Sequence, residues 1–466
     1  MIKVTSDQIA EQYRIMQSVK AHFTSLGIKP KCYIRTFGCQ QNEADSEQLR
    51  GMTCEMGYER CGSPEKADLI LVNTCAVREH AELRALSTTG QFKKLKEKNP
   101  NLLIGVCGCM VTQEHRMDQV KKSYPYVDFL IGTGMLYKLP EIVSEQLGGG
   151  KRSFTVDLPE GTIAEGLPIE RESKTTAWVS VMYGCNNFCS YCVVPYTRGR
   201  ERSRERADII AEVKSVIADG AKEITLLGQN VNSYSSDGQD FADLVAEICK
   251  LDGDFILRFM TSHPKDASKK LIDVMAANDK CAKQFHLPLQ SGSERILKEM
   301  NRRYTPDAYM TLVDYMREKM PDIALSSDII VGFPGETDEE FDETLSMLKK
   351  VGFDMVYSFI YSPRPLTPAA AMTCQIPPET KSARFDRLLE VQNEISLAKN
   401  LSLVGKTQRV LIEGESKSSS EMLTGRADSN KLVHVPRDAR SENLIGKFAN
   451  VKITRAETFA LFGELV

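Results

Sequence analysis

The sequence predicts an α/β chain in three parts: an open parallel α/β domain, a partial (β/α)6 barrel and a small all-β barrel. Three observations carry this. Short apolar runs alternate with helical patterns over residues 31–147, the same alternation returns over 175–400, and from 403 onward only short β-rich runs remain. A length of 466 residues also suggests about three domains.

Residues 1–30 form the first element. Ile9, Tyr13, Met16, Val19, Phe23 and Leu26 fall at helical spacing before Gly27, which predicts an amphipathic helix packed on the protein as an N-terminal extension. The stretch reads neither as a signal peptide nor, with Arg14 as its one arginine, as a mitochondrial address. No apolar run approaches the ~18 residues of a membrane span, so a cytoplasmic protein is expected.

In 31–148, runs at Tyr33–Phe37, Leu69–Asn73, Leu102–Val106 and Phe129–Ile131 predict parallel strands. Residues 149–174, opening on Gly149 and Gly150 and rich in charge, read as a linker. In 175–400, Trp178–Tyr183, Glu223–Leu227, Ile256–Met260, Gln284–Leu289, Leu325–Val331 and Met355–Tyr361 predict six barrel strands. In 403–466, Arg409–Ile412, Lys431–Val435 and Asn450–Ile453 predict a small β-barrel.

Net charge is −3, so any nucleic-acid surface is local. Thirteen cysteines is an odd number, and in a chain without a secretory signal clustered cysteines indicate metal or catalysis over disulfides. The strongest signal is Cys185, Cys189 and Cys192 in Gly184–Cys192, a Cys-x3-Cys-x2-Cys loop after the first barrel strand. Three thiolates on one loop suit an iron–sulfur cubane and leave one iron open for a ligand. A zinc site lacking a nearby fourth ligand is the structural alternative.

Cys39, Cys75 and Cys109 each follow a predicted strand and precede a helical stretch. Ligands of open parallel sheets gather at such strand ends, so a second three-cysteine site is geometrically sensible, although small buried cysteines are common. Cys107 competes with Cys109 for the third place, and its position within the strand favours the core. Cys32, Cys54, Cys61, Cys249, Cys281 and Cys374 have no ligand-like surroundings in the sequence.

The Cys185–Cys192 loop resembles that of the radical S-adenosylmethionine superfamily. Phe37-Gly38-Cys39-Gln40-Gln41-Asn42, Asn73-Thr74-Cys75 and Gly108-Cys109-Met110 add a resemblance to its methylthiotransferase family, from about Lys31 to the end of the chain. Tyr183–Arg200, Leu227–Tyr234 and Tyr361–Pro365 point to the tRNA-acting branch. Gln41 stands where the resemblance leads one to expect Met, a departure expected not to touch the chemistry.

The resemblance implies two [4Fe–4S] clusters, one on Cys185, Cys189 and Cys192 and an auxiliary one on Cys39, Cys75 and Cys109. It implies S-adenosyl-L-methionine bound near Tyr191, Gln229, Asn230, Ser262, His286, Gln290, Ser291, Gly332 and Pro334. One S-adenosylmethionine would methylate a sulfur held at the auxiliary cluster, and a second would supply the radical that takes hydrogen from C2 of N6-(dimethylallyl)adenosine at position 37 of tRNA. No single side chain is expected to act as a general base. The C-terminal segment resembles a TRAM RNA-binding domain. Its ten Lys or Arg against eight Asp or Glu leave a structural or dimerisation module open.

Arg198, Arg200, Arg202 and Arg204, interleaved with Glu201, are expected to contact the tRNA anticodon stem-loop, or else to form a solvated surface run. Implied partners are a flavodoxin-like or ferredoxin-like electron donor and a sulfur or cluster donor protein, for a monomer with no membrane contact. The alternatives are methylthiolation of a ribosomal protein aspartate or of another hypermodified tRNA adenosine, and an RNA-binding protein with structural clusters.

Overall fold

A computed structural model describes residues 2–77, 79–156, 162–417 and 419–466. The chain divides into two compact units. The first runs to Glu172 and adds Met182–Phe188 and Cys192–Arg204; the second comprises Ser173–Val181, Cys189–Tyr191 and Glu205–Val466.

In the first unit, helix α1 (Ser6–Ser25) opens on a capping box in which Thr5 accepts from the Gln8 amide and Gln8 answers the Thr5 N–H. Its expected apolar face is real: Met16, Val19 and Phe23 are buried in a common core with Leu49, Met52 and Met56. Leu26, the last position of that pattern, lies past the helix end and is exposed.

A six-stranded parallel sheet follows. Its strands are β1 (Lys31–Thr36), β2 (Glu59–Arg60), β3 (Leu69–Thr74), β4 (Leu103–Gly108), β5 (Phe129–Ile131) and β6 (Ser153–Thr155), in the order β2-β1-β3-β4-β5-β6. β3 and β4 are buried along their whole length, as the continuous apolar runs require. Helix α2 (Gln40–Glu55) follows β1, α3 (Glu79–Gln91) follows β3, and the short α4 (Cys109–Thr112) follows β4.

Two strands of this sheet were not expected: β2, and β6 within the stretch read as a linker. Both are short edge pieces without a period long enough to register. Part of that linker, 157–161, lies outside the described residues. Beyond it Glu170 and Glu172 are tied back to Glu47 and Arg60, which makes this end of the linker a packed strap.

The second unit holds six parallel strands: β7 (Thr176–Ser180), β8 (Glu223–Leu227), β9 (Ile256–Phe259), β10 (Gln284–His286), β11 (Ala324–Val331) and β12 (Met355–Ile360). They pair as two runs of three, β7-β8-β9 and β10-β11-β12, and a single bridge between Leu257 and Cys281 lies at the change-over. This is the expected partial (β/α)6 barrel.

The chain ends in a closed five-stranded barrel of β13 (Thr407–Glu415), β14 (Met422–Ala427), β15 (Leu432–Pro436), β16 (Phe448–Ala456) and β17 (Leu461–Leu465). Val410, Ile412, Leu423, Val433, Val435, Val451, Ile453 and Leu461 fill it. Closure removes the exposed edges that short strands would otherwise present. β14 and β17 escape sequence reading because Thr424-Gly425-Arg426 and Gly463-Glu464 break their apolar alternation.

Candidate functional site

Within the first unit, Cys39 precedes α2, Cys75 follows β3 and Cys109 opens α4. The strand ends bring the three thiols together. Cys75 donates to Cys39, which lowers the Cys39 thiol to about 6 against partial desolvation, while that same bond and burial raise the Cys75 thiol. Burial pushes the Cys109 thiol up, against the Arg198 guanidinium beside it.

Two glycines permit this approach. Gly38 has φ +150°, and a Cβ there would lie 2.6 Å from the Cys75 Cβ. Gly108 has φ +96°, and a Cβ there would lie 2.5 Å from both Asn73 Oδ1 and the Thr74 carbonyl oxygen. Both positions need a backbone that side-chain-bearing residues rarely adopt and space that they would fill.

The motif asparagines fasten the loops. Asn42 donates from Nδ2 to the Thr74 carbonyl at 3.2 Å, and Asn73 donates from Nδ2 to the Asn42 carbonyl at 2.8 Å and to Ser46 Oγ at 2.9 Å. Cys107, the competitor of Cys109, is fully buried inside β4 in the hydrophobic core, its thiol directed at the Val72 carbonyl at 3.6 Å. It is a packing residue.

Among the described residues no three His, Cys, Asp or Glu side chains are spaced to hold a single metal ion. An iron–sulfur cluster sets a different requirement, because each thiolate binds a separate iron and the triangle of sulfurs is wider. Three convergent thiols match the donor set of such a cluster.

The arginine run does not form a surface stripe. Arg198 is buried, with Nη2 2.7 Å from Asp45 Oδ2 and Nε donating to Cys109 Sγ at 3.2 Å. Arg202 is buried and donates to the carbonyls of Thr162, Arg198 and Arg200. Arg204 is buried against the Glu165 carboxylate at 2.6 Å. Arg200 alone of the four is exposed, its guanidinium 4.4 Å from the centre of the Phe188 ring. Alternating arginines read as exposed in sequence; here the alternation follows the short strand Arg202–Ser203 and a turn whose carbonyls the arginines satisfy.

Of the radical-cluster loop, Cys185 and Cys192 belong to the first unit and Cys189 to the second. The Cys185 amide donates to the Gly199 carbonyl at 3.2 Å. A Cβ on Gly184, at φ +76°, would collide with the Arg200 carbonyl. In the second unit the buried Arg302 reaches Cys189 Sγ from Nη1 at 3.5 Å and the Pro288 carbonyl from Nη2 at 2.9 Å. The sequence offered no signal for Arg302 or for Asp45.

Three of the residues expected to line a cofactor pocket follow strand ends of the second unit. Asn230 follows β8, Ser262 follows β9 and Gln290 follows β10. Asn230 Oδ1, Ser262 Oγ and Gln290 Oε1 are buried with no hydrogen-bond partner among the described residues. Gln290 is also held at φ +70°. Buried polar atoms are ordinarily paired, so this orphaned trio fits a polar ligand such as S-adenosylmethionine.

Of the remaining pocket residues, Gln229 is half-buried beside Asn230. His286 Nδ1 is 3.0 Å from Ser326 Oγ, and Tyr191 packs on the core of Ile296, Met300, Phe333 and Tyr361. Ser291 is fully buried, and its hydroxyl accepts from the Ser293 amide. Gly332 and Pro334 form the turn after β11, where the Gly332 amide donates to Glu336 at 2.9 Å. These last three lie in tightly packed turns.

Comparison with known proteins accords with this arrangement. Residues 179–348 match the radical SAM superfamily, 31–132 an uncharacterized protein family, UPF0004, and 401–466 the TRAM domain. A radical S-adenosylmethionine methyltransferase, TsrM, from Kitasatospora setae shares the fold, with a TM-score of 0.54 at 14% identity over 74% of this chain and 77% of that one. The chain is thus built as a radical SAM protein.

The tRNA-2-methylthio-N(6)-dimethylallyladenosine synthase of Thermoanaerobacter sp. (strain X514) is 49% identical over 100% of this chain and 98% of its own length. Those of Acetivibrio thermocellus (48% identical, 100% and 98% covered) and Clostridium perfringens (49%, 93% and 97%) are similar to the same degree. The chain belongs to the tRNA-2-methylthio-N(6)-dimethylallyladenosine synthase family of methylthiotransferases.

Proposed function

We propose that this protein is a tRNA-modifying methylthiotransferase that converts N6-(dimethylallyl)adenosine at position 37 to its 2-methylthio derivative. The observation that carries the reading is the convergence of Cys39, Cys75 and Cys109 at three strand ends, in a chain that matches its relatives over its full length. All three relatives described above are named for the dimethylallyladenosine reaction, which favours it over a ribosomal aspartate or another adenosine.

Cys39, Cys75 and Cys109 would hold an auxiliary [4Fe–4S] cluster, and Cys185, Cys189 and Cys192 a second. When bound, these clusters and S-adenosylmethionine supply the sulfur, the methyl group and the radical that the inert C2–H bond demands. The protein binds, orients and shields. Asn230, Ser262 and Gln290 offer unpaired polar atoms to the cofactor, and Tyr191, packed against Ile296, Met300 and Phe333, would offer it an aromatic face. Asn42 and Asn73 keep the auxiliary thiols in register. The closed C-terminal barrel, a TRAM match, supports binding of tRNA.

The reaction consumes electrons and sulfur. A flavodoxin-like or ferredoxin-like reductant and a sulfur or cluster donor protein therefore belong to this reading, with a monomer acting in the cytoplasm where tRNA is matured. Among the described residues no helix is long and apolar enough to cross a membrane.

The test uses anaerobically reconstituted full-length protein, reductant, S-adenosylmethionine and an anticodon stem-loop carrying N6-(dimethylallyl)adenosine. Mass spectrometry is expected to find both 5′-deoxyadenosine and a methylthio gain on the modified nucleoside. Deoxyadenosine without that gain would overturn the substrate, and neither product would return the chain to an RNA-binding protein with structural clusters.

A further inference from the structure

Gln41, Asp45, Arg198 and Cys109 form one buried chain of contacts within the first unit. Gln41 Nε2 donates to Asp45 Oδ1 at 3.1 Å, Asp45 Oδ2 takes Arg198 Nη2 at 2.7 Å, and Arg198 Nε donates to Cys109 Sγ at 3.2 Å. All four residues are buried, the Arg198 and Asp45 side chains each at 6% exposure, so solvent screens little of the charge. The backbone cannot swing the guanidinium away. Arg198 N–H donates to the Val194 carbonyl at 2.8 Å, and the Arg198 carbonyl takes Arg202 Nη1 at 2.8 Å.

An arginine that served only the fold would be satisfied by Asp45. This one spends its Nε on a cysteine sulfur instead. Gln41, at a position expected to be irrelevant to the chemistry, is the brace that fixes the second oxygen of Asp45.

We propose that Arg198 is a positioning residue for the auxiliary cluster: fixed by Asp45 and Gln41, it hydrogen-bonds the Cys109 thiolate and raises the cluster's reduction potential. The proposal rests on the reading of Cys39, Cys75 and Cys109 as cluster ligands. Reduction adds negative charge to the cluster, and a fixed buried cation beside one ligand favours that state. An N–H···S bond acts in the same direction by drawing electron density from the thiolate. The second unit repeats the device, with Arg302 against Cys189 at 3.5 Å.

The test uses the full chain carrying Cys185→Ala, Cys189→Ala and Cys192→Ala, so that only the auxiliary site can hold a cluster. Iron and sulfide content and the midpoint potential, from an EPR-monitored redox titration, are read with and without Arg198→Met, Arg198→Gln or Arg198→Lys. Loss of the charge in the Met variant is expected to lower the midpoint by at least a tenfold change in the reduction equilibrium, about 59 mV for one electron. Arg198→Lys, which keeps the charge, is expected to lie closer to the parent.

If the Met variant loads no cluster, Arg198→Gln decides, because its amide can still face Asp45. Full iron content at an unchanged midpoint in a neutral variant would overturn the proposal, since a purely structural arginine moves stability and loading but not potential. A parent chain that binds no cluster at all would overturn the ligand reading instead.

Discussion

The side-chain amide of Asn42 donates to Asn73 Oδ1 at 3.2 Å, which ties the loop carrying Cys39 to the strand end carrying Cys75. Both asparagines are fully buried, and each also holds a backbone carbonyl of the other's segment. The two motifs are far apart in sequence, and this reciprocal pair makes them one structural object. The cysteines are the donors; the asparagines decide where the donors stand.

Asn73→Ala is therefore expected to damage the auxiliary site before the rest of the protein. It removes the hydrogen bonds of the Asn73 side chain to Asn42 and Ser46, at about 0.5–1.5 kcal/mol for each bond lost, while Asn42 keeps the Thr74 carbonyl and Ser46 keeps Thr36. Iron analysis after anaerobic reconstitution should fall from two clusters towards one, with S-adenosylmethionine cleavage retained. Loss of cleavage at unchanged iron content would contradict this placing.

Cys185→Ala and Cys75→Ala are expected to separate the two halves of the reaction. The first should abolish 5′-deoxyadenosine formation. The second should keep that formation and stop methylthio transfer to the stem-loop. Full product from both variants, by mass spectrometry of digested RNA, would remove the two-site assignment.

What the sequence made legible follows from where its signals lie. Cys39, Cys75 and Cys109 could be picked out because each sits between an apolar run and a helical pattern, and parallel sheets bring such positions together. The barrel strands were legible for a related reason: buried strands such as β8, with Ile224, Leu226 and Leu227, are short segments rich in apolar residues. Arg198 was not, because alternation with Glu201 and Glu205 imitates a solvated surface, and its partner Asp45 lies 153 residues away in the chain. The strands β2 and β6 were hidden by brevity, and β14 and β17 by Gly and charge within the pattern.

Arg258 is expected to anchor the C-terminal barrel. Within the second unit its Nη1 and Nη2 donate to the carbonyls of Asp428 and Ala427 at 2.7 and 2.8 Å, and its Nε meets Glu223 at 2.7 Å. Arg258→Ala leaves Glu223 nearly buried without its cation, and breaking such a pair costs about 3–5 kcal/mol. Limited proteolysis should then cut near 401–407 at a lower protease concentration than in the parent. An unchanged digestion pattern would show that other contacts, such as Lys431 with Asp354 at 2.7 Å, hold the barrel alone.

Leu366 offers the opposite kind of prediction, a gain. It follows β12 in the turn Arg364–Thr367, is 67% exposed, and is held at φ +71°. A left-handed backbone costs a side-chain-bearing residue about 1–2 kcal/mol, because its Cβ crowds the following carbonyl. Glycine removes that strain but brings a freer unfolded chain, which offsets about 0.5–1 kcal/mol. Little apolar burial is lost from so exposed a side chain. Leu366→Gly is therefore expected to raise stability by about 0.5–1 kcal/mol in urea unfolding. Leu366→Ala keeps the Cβ and so should gain nothing. Equal midpoints for the Gly and Ala variants would mean that the turn relaxes at no cost, and that the left-handed leucine is not a source of strain.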